Sequence, residues 1–109
     1  MGSSSNEISA TSDMLINTID ISIDNIKITA VGLTCTSPNV SPVSAYCEVN
    51  ITSGTVPSQT TASKLAAGYV GSHHSISWQG RITGEASQRL LAHIWSDTQA
   101  TFRLTLLSE

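Results

Sequence analysis

Isoleucines mark every second position in "TIDISID". Ile19, Ile21 and Ile23 alternate with Asp20, Ser22 and Asp24, the period of a strand with one dry face. Asp24-Asn25 then offers a turn or bulge. In "IKITAVGLTCT" the apolar set begins as Ile26, Ile28 and Ala30 and changes phase to Val31, Leu33 and Cys35. That switch calls for a bulge near Ala30-Val31, or for burial on both sides. "AYCEVNI" aligns Ala45, Cys47, Val49 and Ile51, and "HSISWQGRI" aligns His74, Ile76 and Trp78. "ATFRLTLLS" closes the series with Phe102, Leu104 and Leu106 on its inner face.

Two stretches read in more than one way. As a strand, "QRLLAHIW" puts Leu90, Ala92 and Ile94 on one face and Leu91, His93 and Trp95 on the other. As a helix, it groups Leu90, Leu91, Ile94 and Trp95. Residue propensity favours the helix, whereas the turn signals "TGEAS" and "SDTQ" on either side favour the strand. "TASKLAA" fits a short helix, an edge strand or a crossover loop. Residues 1–13 are small and polar and read as a flexible leader, leaving 14–109 as a single β-domain. Six to eight strands and no long helix predict an all-β fold, an antiparallel two-sheet sandwich or jelly roll. Few charges guard its edges, which points to a homo-oligomer.

The two cysteines sharpen this picture. A hairpin centred on Val40-Ser41 would pair Val31 with Ile51, Leu33 with Val49 and Cys35 with Cys47. Pro38 and Pro42 would then sit in its loop, where neither removes a ladder hydrogen bond. The register comes from apolar alternation alone, yet it brings the thiols within bonding range and predicts a Cys35–Cys47 disulfide. The alternative is two small buried thiols, since free cysteine behaves as a core hydrophobe.

Composition narrows the class. The chain has 109 residues, enough for one modest core, and only 12% of them are charged, against about 25% in typical soluble domains. Ser and Thr replace the missing charges, as in an extracellular or cell- or virion-surface module. A net charge of −3 argues against a nucleic-acid partner, which needs a basic surface. No apolar run reaches the roughly 18 residues of a membrane span. The N-terminus lacks the charged-then-apolar pattern of a secretory signal, and Asn6 stands where a myristoylation signal requires Ser or Thr. The sequons at Asn39 and Asn50 matter only in a eukaryotic secretory pathway.

Catalytic patterns are scarce. His73-His74 invites a metal, with His93 as a third ligand, but neighbours on a strand face opposite ways and no carboxylate completes a set. The plainer reading of the pair is a polar turn leading into a strand. No GxSxG turn and no phosphate-binding glycine loop appear. Glu85 and Asp97 flank "QRLLAHIW" at opposite ends and make a poor glycosidase pair. No catalytic residue, metal or cofactor is implied. Tyr69, Trp78, Trp95 and Phe102 instead share the second half of the chain with Arg81, Arg89 and all three histidines. Aromatic faces stack on the C–H surfaces of sugars while Arg, His and carboxylates bond their hydroxyls, so this half carries the ingredients of a glycan pocket. Tryptophans in a small domain also serve as core anchors.

The stretch "SWQGRITGEASQRLLAHIW" resembles the compact TNF-like jelly-roll lectins of bacteria, and "SDTQATFRLTLL" is similar to the last strand of C1q/TNF-like trimers. "IWSDT" also resembles the H-type lectins. The TNF-like resemblance covers residues 74–107 and is best at Trp78, Arg81 and Ile94-Trp95. It implies fucoside pockets between the subunits of a trimer, with Arg81 as a sugar ligand and Trp78 or Trp95 as a pocket wall. The resulting expectation is a non-catalytic, multivalent lectin that binds glycans through Trp78 and Arg81, then His74, Glu85 and Trp95. The alternative is a self-assembling structural subunit of a surface appendage or phage particle.

Overall fold

The computed structural model describes residues 2–10, 16–50, 64–95 and 99–109. Its strands are β1 (Gly2–Ala10), β2 (Ile16–Ser22), β3 (Lys27–Cys35), β4 (Val43–Asn50), β5 (Lys64–Val70), β6 (Ile76–Thr83), β7 (Arg89–Trp95) and β8 (Ala100–Ser108). They form two antiparallel sheets, ordered β1-β8-β3-β6 and β2-β7-β4-β5. The first strand pairs with the last, the second with the seventh, the third with the sixth and the fourth with the fifth. This is one long antiparallel hairpin rolled until β3 meets β8 and β4 meets β7. The fold is a jelly roll.

Alternation explains how the layers close. Ile28, Val31 and Leu33 of β3 and Phe102, Leu104 and Leu106 of β8 face Ala45, Cys47, Leu90, Ala92 and Ile94 of the other sheet in one buried cluster. The phase change in β3 is met by a bulge between Ile28 and Ala30, which lets Ile28 and Val31 both point inward. "RLLAHIW" is a central strand, hydrogen-bonded on both edges, and Leu91 and His93 on its second face are buried as well. Its run of apolar residues mimicked a helix because both faces are dry. Of "TASKLAA", Lys64 to Ala67 begin edge strand β5, and residues 61–63 lie outside the described residues. Gly2–Ala10, expected within a loose leader, is strand β1, matched to β8 from Gly2↔Ser108 to Ala10↔Ala100. Backbone ladder bonds need no apolar side chains, and β8 would otherwise leave a row of unpaired backbone groups on that edge.

The predicted Cys35–Cys47 disulfide is not formed, and both cysteines are free. The reason is topological. β3 and β4 belong to different sheets, so residues 36–42 cross the sandwich instead of turning a hairpin. Cys35 pairs across to Phe102 and Cys47 to Ala92. Both thiols point into the core, but from opposite layers. The crossing is tied down by polar bonds. Thr36 N–H donates to Thr101 O at 2.9 Å, Ser72 Oγ–H to Ser37 O at 3.0 Å and Ser72 N–H to Val40 O at 3.0 Å. Asn39 turns the chain at φ 60°, a conformation that Asn tolerates better than most residues. Burial pushes the Cys47 thiol up to about 12, whereas Cys35 is half-buried and its Sγ–H donates to Ser37 O at 3.6 Å.

At the far end, two turns interlock. Ile26 N–H closes the Ile23–Ile26 turn at 3.0 Å, with Asn25 at φ 60°. Asn25 N–H then donates to Gly84 O at 3.0 Å and Gly84 N–H to Ile26 O at 2.8 Å. A Cβ on Gly84 would collide with the Ile23 carbonyl oxygen. We expect Gly84→Ala to destabilise the fold by about 3 kcal/mol, measured by urea denaturation, because backbone rather than a flexible side chain must move. In the native protein, one thiol should react with a maleimide, and the second only after denaturation. Melting should not change with reductant, and a large drop under reduction would contradict this topology.

Candidate functional site

The outer face of the β2-β7-β4-β5 sheet is a grid fixed by register. One row runs Trp95, Ser44, Tyr69 across β7, β4 and β5. The next runs Thr18, His93, Tyr46, Ala67, and the third Asp20, Leu91, Glu48, Lys64. These side chains alternate with core residues such as Ala45, Cys47, Ala92 and Ile94, so they point away from the core.

The middle row holds a buried polar chain. His93 Nε2 lies 2.7 Å from Glu48 Oε2, and both side chains are wholly buried. His93 Nδ1 lies 3.2 Å from Thr18 Oγ1. Burial lowers the His93 pKa, only partly offset by the hydrogen bond and charge of Glu48. The imidazole is therefore neutral: Nε2–H donates to the carboxylate and Nδ1 accepts from the Thr18 hydroxyl. The Tyr46 ring stacks on His93, with centroids 5.8 Å apart and planes at 29°. Its hydroxyl is closed to solvent and has no hydrogen-bond partner among the described residues. Lys64 Nζ stands 5.5 Å from the centroid of the same ring. Nearer the edge of the grid, Arg89 Nε donates to Asp20 Oδ2 at 3.0 Å.

Above this floor lies a cleft of about 460 Å³, lined by Ser44, Tyr46, Lys64, Ala67, Tyr69 and Trp95 among others. Its shape follows from the first row. Ser44 is small and lies between two aromatic residues on adjacent strands, so Trp95 and Tyr69 spring from backbones about 10 Å apart. Tyr69 is 64% exposed, unusual for so large an apolar side chain.

The residues singled out by sequence do not converge. Trp78 on β6 points inward, packs against the core cluster and lies across Gly80, where a Cβ would come within 2.6 Å of its indole. Arg81 points the other way, into a smaller hollow of about 220 Å³ with Lys27, Thr29 and Thr83. His74 exchanges backbone hydrogen bonds with Gly71 in the turn between β5 and β6, its side chain exposed. Glu85 opens the turn into β7, where its N–H donates to Gln88 Oε1 at 2.7 Å. Asp97 lies outside the described residues. Of the predicted contacts, Trp95 alone lines the cleft, opposite Tyr69, another aromatic of the second half of the chain. Glu48 and His93 carried a readable signal, because both sit inside apolar runs where a polar residue needs a partner. Their partnership required knowing that β4 pairs with β7.

Among the described residues, no group of three or more His, Cys, Asp or Glu is placed to hold a metal ion, and no helix is long and apolar enough to cross a membrane. No protein-family model and no curated protein matches the sequence.

Two measurements test this geometry. Unfolded His93 takes up a proton below about pH 6.5, while the buried ring resists it. Stability should therefore be full above that pH and fall as pH drops from 6.5 toward the lowered folded value, by at most about 1.4 kcal/mol per pH unit. Denaturation of His93→Gln across pH 5–8 should show a flatter slope, whatever its midpoint. Tyr46→Phe removes a buried hydroxyl that lacks a partner and should raise stability by about 1 kcal/mol.

Proposed function

We propose that the chain is a non-catalytic carbohydrate-binding module whose sugar site is the cleft between Trp95 and Tyr69. The observation that carries this reading is the aromatic–serine–aromatic row. It leaves a slot with two π-faces for the C–H surfaces of a pyranose and a small polar floor beneath. Ser44 and Lys64 supply donors for sugar hydroxyls, the sparse polar complement typical of small-molecule clefts. His93 and Glu48 resemble catalytic machinery in type, but their complete burial keeps substrate atoms away. They act here as support for Tyr46.

The jelly-roll fold and the resemblance of residues 74–107 to TNF-like lectins support the same class, which works at a cell or virion surface as a homo-oligomer, a trimer by that resemblance. Weak single sites then gain avidity through linkage. The sugar contacts move from the Trp78–Arg81 strand to the opposite sheet, with Trp95 retained.

A glycan array probed with the purified protein tests this. Selective binding should weaken at least about tenfold in Trp95→Ala and in Tyr69→Ala, while Arg81→Ala binds as the parent does. Tyr46→Phe should leave binding unchanged even as it stabilises the free protein. Loss confined to Arg81→Ala would return the site to β6. A blank array from folded protein would sink the lectin reading in favour of a self-assembling subunit, which should grow open-endedly with concentration.

A further inference from the structure

We propose that the cleft selects sugars bearing a carboxylate, uronic acids in chemical class, with the acid group held by Lys64. The inference rests on the reading of the cleft as a carbohydrate site and concerns which carbohydrate enters.

Lys64 is the only charged residue among the described residues lining the cleft. Arg89 pairs with Asp20 and the neutral His93 donates to Glu48, and neither contact involves the Lys64 ammonium. Glu48 is its cross-strand neighbour but is turned to His93. The ammonium instead stands over the Tyr46 ring, a contact that holds the side chain near the cleft without neutralising it.

One cationic donor therefore stands at this wall. Lys64 offers three N–H groups and no acceptor. An ionised carboxylate is the complement, because it only accepts. Position agrees with chemistry. Tyr46 lies one row below Ser44, about 7 Å along the strand, so a pyranose seated between Trp95 and Tyr69 can direct its C5 carboxylate toward that wall. A neutral hexose in the same pose presents a hydroxymethyl group there and leaves the cation unmatched.

The test is titration with D-glucuronate and D-glucose, which differ only at that carbon, followed by amide shifts in two-dimensional NMR. Glucuronate should bind about fivefold more tightly, and the excess should shrink in 0.5 M sodium chloride, at a screening length of about 4 Å. Lys64→Gln, a change at an exposed position, should bring the ratio close to one. Equal affinities in the parent protein, or a ratio unmoved by Lys64→Gln, would overturn the acidic selectivity and leave the sugar site standing. No shift with either sugar, joined to a blank glycan array, would overturn both.

Discussion

Strand β7 is hydrogen-bonded on both edges and closed on both faces, and the organisation of its sheet follows from that enclosure. Leu90, Ala92 and Ile94 fill the space between the layers, while Leu91 and His93 are shut away on the other side. A histidine in such a place cannot stay charged cheaply, and one with unmet nitrogens would cost more. Glu48 and Thr18 reach it from the neighbouring strands and satisfy both nitrogens. The pairing of β2, β7 and β4 is thereby specified by polar complementarity as well as by apolar fit, since a slip of one residue would strand all three groups.

The same register that satisfies His93 builds the cleft beside it. Tyr46 is stacked on the imidazole and cannot swing freely, so it forms a fixed wall. Trp95 and Tyr69 stand on the row beyond, held apart by Ser44. Rigidity at the floor and exposure at the rim come from adjacent rows of one sheet. A site placed on strands in this way loses little conformational entropy when a ligand arrives.

Much of the architecture was legible in the chain. The alternation in "TIDISID" and "ATFRLTLLS" located strands and their inner faces, and the phase change in β3 located a bulge. Alternation states which face a residue occupies, however, and not which strand lies beside it. Cys35 and Cys47 share inward parity, a condition met equally by partners in a hairpin and by residues facing one another across a sandwich. The choice was made by the polar ties of Ser37, Ser72 and Thr101, which depend on segments far away in sequence. The cleft escaped for the same reason: Trp95, Ser44 and Tyr69 are neighbours only through pairing of β4 with both β7 and β5. Tyr69 and Trp95 were legible as candidate aromatics, but Trp78 was indistinguishable from them until its inward direction was known.

The nested pairing of strands also has a consequence in time. β4 and β5 are the pair closest in sequence, and each outer pair encloses a longer stretch of chain, ending with Gly2 against Ser108. Contacts of such long range fold slowly, because chain entropy is lost before they form. On the ribosome, β1 is made before the seven strands that follow it, and its partner β8 comes last among them. Until β8 emerges, it is a serine-rich ribbon with open hydrogen bonds. A composition poor in large apolar groups, which made residues 2–10 look like a leader, is well suited to such a wait, since it gives the unpaired strand little reason to stick to anything else.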